Sequence, residues 1–209
     1  MKELRKIPNI SDILDLKEIK TVLFDMDGTI LDTEILHAKA LYNTLNKINP
    51  SLKLSTNDLL ETFCGKSDTE VFEEVDLGES INVEQFLEIK NEKFIETLDE
   101  HGKILSQEME ELLTSLKEKG YKLALVTASE RDVTKELIKR ERLDRFFDTV
   151  LTRNDLTLTK PHPLPYLKAM ELLDSKKENT LIFEDSETGL MAAKASGAKF
   201  FKANWFSNV

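Results

Sequence analysis

The chain reads as an α/β protein: a mainly parallel sheet, interrupted after its first strand by a block of helices. Three features predict this. Short apolar runs, Thr21 to Phe24, Tyr121 to Val126 and Thr180 to Phe183, are bounded by polar residues, which suits strands covered on both faces. From Ser106 to the C-terminus such runs alternate with amphipathic helical stretches, the pattern of parallel strands joined by crossover helices. Residues 34 to 103 break that alternation, with several helical patterns and no convincing strand. A length of 209 residues suits one domain, or one domain with an insertion.

In chain order, residues 1–19 are polar and mixed, contain the breaker Pro8, and read as an N-terminal extension with a short helix near Ser11 to Lys17. The first strand comes next, within a core segment 20–33. The block 34–103 carries helical patterns at His37 to Lys47, Asn57 to Phe63, Thr69 to Val75 and Val83 to Leu98. The last keeps Val83, Phe86, Leu87, Phe94 and Leu98 on one apolar face. The core resumes over 104–209, where Met109, Leu112, Leu113 and Leu116 fall at helical spacing and Gly120 is the stop. Ser129 is expected to cap a helix running to about Arg140, with Asp132 in capping-box register. Ser186 is expected to cap another that ends before Gly197. Phe147 to Leu151 and Ala198 to Phe201 are weaker strands. An insertion after the first strand would sit over the carboxyl edge of the sheet, where open α/β folds bind ligands.

Composition excludes several function classes. Lys+Arg 29 against Asp+Glu 39 leaves a net charge of −10. That disfavours a nucleic-acid polymer as partner, because binding a phosphate backbone needs clustered Lys and Arg. A single cysteine, Cys64, leaves no intrachain disulfide and no Cys-rich zinc site. No apolar run approaches the ~18 residues of a membrane span. The N-terminus has no secretory apolar stretch. A cytoplasmic protein with no membrane partner is expected.

The first apolar run ends in Asp25-Met26-Asp27-Gly28-Thr29. Alternate residues of an extended chain share a face, so both carboxylates can address one point. They repel unless a cation or proton lies between them, and hard divalent cations take such oxygen ligands. Alone, the pattern also fits a solvated turn or part of a calcium loop. Three other features add to it. Thr127-Ala128-Ser129 comes directly after Val126 at the end of the second strand, and a hydroxyl beside a helix N-terminus suits a phosphate. Lys160-Pro161 opens a Pro-rich turn and offers a fixed positive charge. Glu184-Asp185-Ser186 ends the third strand in two acids, repeating the pattern at Asp25 and Asp27.

These residues converge on one edge of one parallel sheet. Their order and contexts, DMDGT, the strand-end Thr127, Lys160-Pro161 and IFEDSETG, resemble the four motifs of the haloacid dehalogenase superfamily, over residues 20 to 202. The resemblance implies a Rossmann-like core (20–33 and 104–209) with an inserted α-helical cap (34–103), in the small-cap group of sugar-phosphate and phosphoglycolate phosphatases and β-phosphoglucomutases. It implies Asp25 as nucleophile and Asp27 as acid/base. It implies Mg²⁺ held by Asp25, the Asp27 carbonyl and Asp185, with Glu184 binding through water. Thr127 and nearby backbone N–H groups such as that of Ala128 would hold the phosphoryl group, and Lys160 would neutralise it and orient Asp25. The family members that cleave carbon–halogen or carbon–phosphorus bonds lack the second aspartate, so Asp27 favours phosphate-ester chemistry on a small phosphorylated metabolite, with sugar phosphates preferred.

Two further readings compete with a phosphatase. One is a mutase of the β-phosphoglucomutase kind. Thr33 and His37 match positions those enzymes use, and His37 would couple cap closure to proton transfer at Asp27. Gly65-Lys66-Ser67 resembles their specificity loop, with Gly65 and Lys66 as substrate contacts. The mutases, however, carry an arginine after the matching serine, where this chain has Asp68. A carboxylate there would repel a bisphosphate, and lysine lacks the fork of arginine. The other reading is a non-catalytic phosphate-ligand binder, which would need neither nucleophile nor acid/base. His162 is expected to serve the Lys160 turn structurally, and Phe200, Phe201, Trp205 and Phe206 to pack or to form a dimer contact.

Overall fold

The computed structural model describes residues 2–63, 68–75, 77 and 81–206. The chain opens with β1 (Lys2–Leu4), α1 (Ile10–Leu14) and β2 (Thr21–Phe24). Four helices come next: α2 (Glu34–Ile48), α3 (Thr56–Phe63), α4 (Asp68–Glu74) and α5 (Val83–Asp99). The remainder alternates: α6 (Gln107–Glu118), β3 (Lys122–Val126), α7 (Arg131–Glu141), β4 (Thr149–Leu151), α8 (Leu164–Leu172), β5 (Thr180–Glu184), α9 (Glu187–Ser196) and β6 (Lys199–Ala203). This is the expected α/β fold with a parallel sheet.

The sheet order is β1-β6-β5-β2-β3-β4, and every pairing is parallel. The central strand β2 is buried along its whole length, as its unbroken apolar run requires. Its last residue, Phe24, lies opposite Leu125 of β3 and Phe183 of β5. From β2 the chain steps outward to β3 and β4, then returns to the other side of β2 as β5. That reversal opens a crevice at the carboxyl ends of β2 and β5. Helix α8 packs on β3 and β4, and α9 on β5 and β6. The core between them includes Leu23, Val126, Tyr166, Met170 and Ile182.

Two compact units divide the chain: Met1–Asp32 with Ile104–Val209, and Thr33–Lys103. In the second unit α2 packs against α3 and α5, around Leu41, Leu45, Leu59, Val71, Leu77 and Phe86. Its α5 begins with a capping box between Asn82 and Gln85. No helix among the described residues is long and apolar enough to cross a membrane.

Three local features differ from expectation. Residues read as an N-terminal extension include β1, which adds to the sheet beside β6, with Lys2 opposite Phe201. The helix expected near Ser11 to Lys17 runs from Ile10 to Leu14, because the chain turns at Leu16 to Ile19 to enter β2. Ser129 does not cap α7. Glu130 is the N-cap, and the Ser129 hydroxyl bonds the Asp27 carboxylate instead. Ser186 does cap α9, accepting from the Gly189 N–H, and the helix ends at Gly197 with φ +78°.

Candidate active site

The carboxyl ends of β2 and β5 bring Asp25, Glu184 and Asp185 together. One carboxylate oxygen of each lies within 4.8 Å of the others. Lys160 Nζ donates to Asp25 Oδ1 at 2.5 Å, to Glu184 Oε1 at 2.5 Å and to the Val126 carbonyl at 3.0 Å. The Lys160 side chain is 4% exposed, and it forms ion pairs with both of these carboxylates. The Pro-rich turn that delivers it is fastened by His162, whose Nδ1 accepts from the Leu164 N–H at 3.1 Å.

Glu184 is fully buried and its two oxygens are occupied. Oε1 accepts from Lys160 and from the Tyr166 hydroxyl at 3.0 Å. Oε2 accepts from the Ser186 N–H and hydroxyl, both at 3.0 Å. The carboxylate is therefore a hub that sets the position of Lys160. Tyr166 also lies beneath that ammonium, with its ring 5.1 Å from Nζ. The sequence reading missed Tyr166, because a buried tyrosine on a helix carries no motif.

Gly189, one turn into α9, explains how Glu184 fits. A β-carbon at this position would overlap the Glu184 carboxylate. Gly189→Ala should therefore lower unfolding free energy by about 2 kcal/mol, even though alanine gains about 1 kcal/mol of helix propensity over glycine. Urea denaturation measures this, and a stabilised variant would mean that Glu184 moves freely.

Asp27 is oriented differently. Its Oδ2 accepts from the Ser129 hydroxyl at 2.6 Å and from Thr127 Oγ1 at 3.4 Å, while Thr127 Oγ1 accepts from the Ser129 N–H at 3.0 Å. Asp27 is thus held by the β3–α7 turn, and its carboxylate is not part of the three-carboxylate cluster. Ser129 is a contact that sequence reasoning assigned to helix capping. Behind Asp27, Gly28 takes φ +74°, and a β-carbon there would strike the Asp185 carboxylate. Thr29 Oγ1 donates to Asp185 Oδ1 at 3.1 Å.

Electrostatically, carboxylates outnumber ammonium groups here. Burial pushes the Asp25 carboxyl well above the usual carboxylate range; Lys160 opposes this, and the charges of Glu184, Asp185 and Asp27 reinforce it. Burial alone would depress Lys160, but Asp25 and Glu184 outweigh it and hold the ammonium protonated. Burial, reinforced by Glu184, raises the Tyr166 hydroxyl and keeps it a donor. Excess negative charge on oxygen-only ligands is what a hard divalent cation relieves, so the donor set fits Mg²⁺. Asp25 and Asp185 are the carboxylates suited to direct contact, because both Glu184 oxygens are engaged.

Ala128 is exposed in the turn between Thr127 and Ser129. His37 belongs to the helical unit, where its ring stacks on Phe94 at 4.2 Å and its Nδ1 lies 2.9 Å from Lys90 Nζ. Lys90 also pairs with Asp68 at 2.8 Å. With Lys90 as its counter-ion, Asp68 repels an anion less than a lone carboxylate would. Cys64, Gly65 and Lys66 lie outside the described residues.

A family profile described as haloacid dehalogenase-like hydrolase matches residues 22–203, nearly the whole chain. The chain belongs to this family. Among haloacid dehalogenase-like proteins it is similar to the pyrophosphatase PpaX of Bacillus mycoides, 33% identical over 192 residues, covering 90% of this chain and 85% of the relative. It is also similar to a solved structure of CbbY from Rhodobacter sphaeroides in complex with phosphate (27% identity, TM-score 0.75, covering 91% and 88% of the two chains). A β-phosphoglucomutase structure from Clostridium difficile shares the fold at 23% identity and TM-score 0.73, over 88% of this chain and 84% of that one. Haloacid dehalogenase-like membership, with phosphatases among the relatives, makes the chain a phosphohydrolase.

Proposed function

We propose that the protein is a Mg²⁺-dependent phosphomonoesterase that hydrolyses a small phosphorylated metabolite through an aspartyl-phosphate on Asp25. The observation that carries this reading is the pairing of Lys160 with Asp25 beside the Asp185 carboxylate, at the switch point of the sheet. Asp25 attacks phosphorus and the bond to the leaving oxygen breaks, while Asp27 gives that oxygen its proton. Asp27 then takes a proton from water, whose oxygen attacks phosphorus and releases phosphate and Asp25. Ser129 and Thr127 orient the Asp27 carboxyl through Oδ2. Lys160 keeps the Asp25 carboxylate aligned and offsets charge on the phosphoryl group. Asp25, Asp185 and the Asp27 carbonyl would hold Mg²⁺, which when bound screens two anions from each other.

Sugar phosphates remain the preferred substrates from the sequence, and the PpaX relative puts pyrophosphate beside them. Phosphomutase chemistry is the second reading, favoured by the neutralisation of Asp68 by Lys90. Phosphate release from sugar phosphates, phosphoglycolate, nucleotides and pyrophosphate, with Mg²⁺ or with chelator, tests the assignment. Mg²⁺-dependent release is expected. Read as kcat/KM, which excludes the later hydrolysis of the aspartyl-phosphate, Asp27→Asn should slow an alkyl phosphate by about 10²–10⁴-fold, and an aryl phosphate, whose leaving group needs no proton, far less. Release that ignores chelator would overturn the metal assignment. Equal losses on both ester types would overturn the acid role of Asp27. Isomerisation of a hexose phosphate without phosphate release would establish the mutase.

A further inference from the structure

The C-terminal end of the core reaches the loop that carries Asp27. Past β6, Asn204 donates its backbone N–H to the Leu4 carbonyl at 2.8 Å and its side-chain Nδ2 to Glu3 Oε1 at 2.8 Å. Trp205 comes next and packs edge-on against Phe183, with centroids 5.8 Å apart, and Phe183 stacks on Phe24 at 5.2 Å. Phe24 and Phe183 immediately precede Asp25 and Glu184. The indole Nε1–H donates to the Thr29 carbonyl at 2.9 Å. The hydroxyl of the same Thr29 donates to Asp185 at 3.1 Å.

We propose that Trp205 is a positioning residue for the carboxylate site. Its N–H fixes the Asp27–Thr29 loop, and through Thr29 it sets the orientation in which Asp185 meets a divalent cation. This rests on the reading of Asp25 and Asp185 as cation ligands. An indole N–H is a donor only, and its single bond here goes to a backbone carbonyl of that loop. Ring packing on Phe183 does not require the bond, so phenylalanine at this position separates the two contributions. Trp205 is also the sole tryptophan of the chain, so protein fluorescence at indole wavelengths comes from this side chain.

The test is Mg²⁺ binding to the full chain by calorimetry and by indole emission. Wild type should show an emission change that is half-complete at the calorimetric Kd, and Asp185→Asn should abolish it. Trp205→Phe should bind Mg²⁺ about three- to tenfold more weakly, as the loss of one net hydrogen bond predicts, whatever its thermal midpoint. Unchanged Mg²⁺ affinity in Trp205→Phe would overturn the positioning role and leave the cation assignment standing. Wild type that binds no Mg²⁺ by calorimetry would overturn the cation assignment, and the positioning role with it. Should Trp205→Phe fail to fold, the wild-type titration decides: Mg²⁺ binding with unchanged emission overturns the proposal.

Discussion

Replacing Lys160 with methionine should destabilise the protein by about 3–5 kcal/mol, the cost of removing one partner from a buried ion pair. The side chain it removes is almost wholly buried and serves three acceptors: Asp25, Glu184 and the Val126 carbonyl. Methionine fills similar volume, so the loss is electrostatic and not a cavity effect. Glu184 keeps Tyr166 and Ser186, but its charge is left without a cation. Adding Glu184→Gln to Lys160→Met should therefore recover part of the lost stability, and a double-mutant cycle by urea denaturation reads that coupling. Turnover in the single variant should fall by about 10²–10³-fold, the scale of losing one preorganised charge at a transition state. A variant as stable as wild type would mean that the carboxylates protonate or rearrange without penalty.

Asp25→Asn should behave in the opposite way. Turnover should fall by about 10⁴-fold or more, since an amide cannot form the covalent intermediate. The fold should be as stable as wild type without metal, or more so. Burial and three neighbouring carboxylates disfavour the Asp25 charge in the folded chain, and asparagine removes that charge while still accepting from Lys160. Thermal denaturation in chelator, beside phosphate release in Mg²⁺, separates the two effects. Retained turnover would overturn the nucleophile assignment. A large loss of stability would mean that Lys160 depends on Asp25 more than on Glu184.

Much of the site is legible in the sequence because it sits at strand ends. Unbroken apolar runs mark buried parallel strands, and the polar residues at the end of each run are fixed at the carboxyl edge. Asp25, Glu184 and Asp185 can therefore be brought together from the sequence, and Lys160 with them by its motif. Hydroxyl assignments are less legible. Ser129 has the composition of a helix cap, and only the position of Asp27 across the crevice decides that its hydroxyl goes there. Glu184 reads as a metal residue from its place beside Asp185. Its engagement by Lys160, Tyr166 and Ser186 depends on a helix approach that Gly189 permits, and no local pattern announces it. The strand β1 escapes for a related reason: three residues, two of them charged, carry no period, and their pairing is set by β6 at the far end of the chain.

That short strand has a consequence for how the protein behaves in concentrated solution. Without β1, the outer backbone groups of β6, a strand with Phe200 and Phe201 at its centre, would be open to pair with a second molecule. Unpaired strand backbones of this kind template aggregation, and natural proteins blunt them with short, charged segments. Lys2 and Glu3 are such a segment, and both are exposed. Trimming the first few residues would thus threaten solubility before it threatened the core, and a bulky fusion at this terminus would press on the same guard.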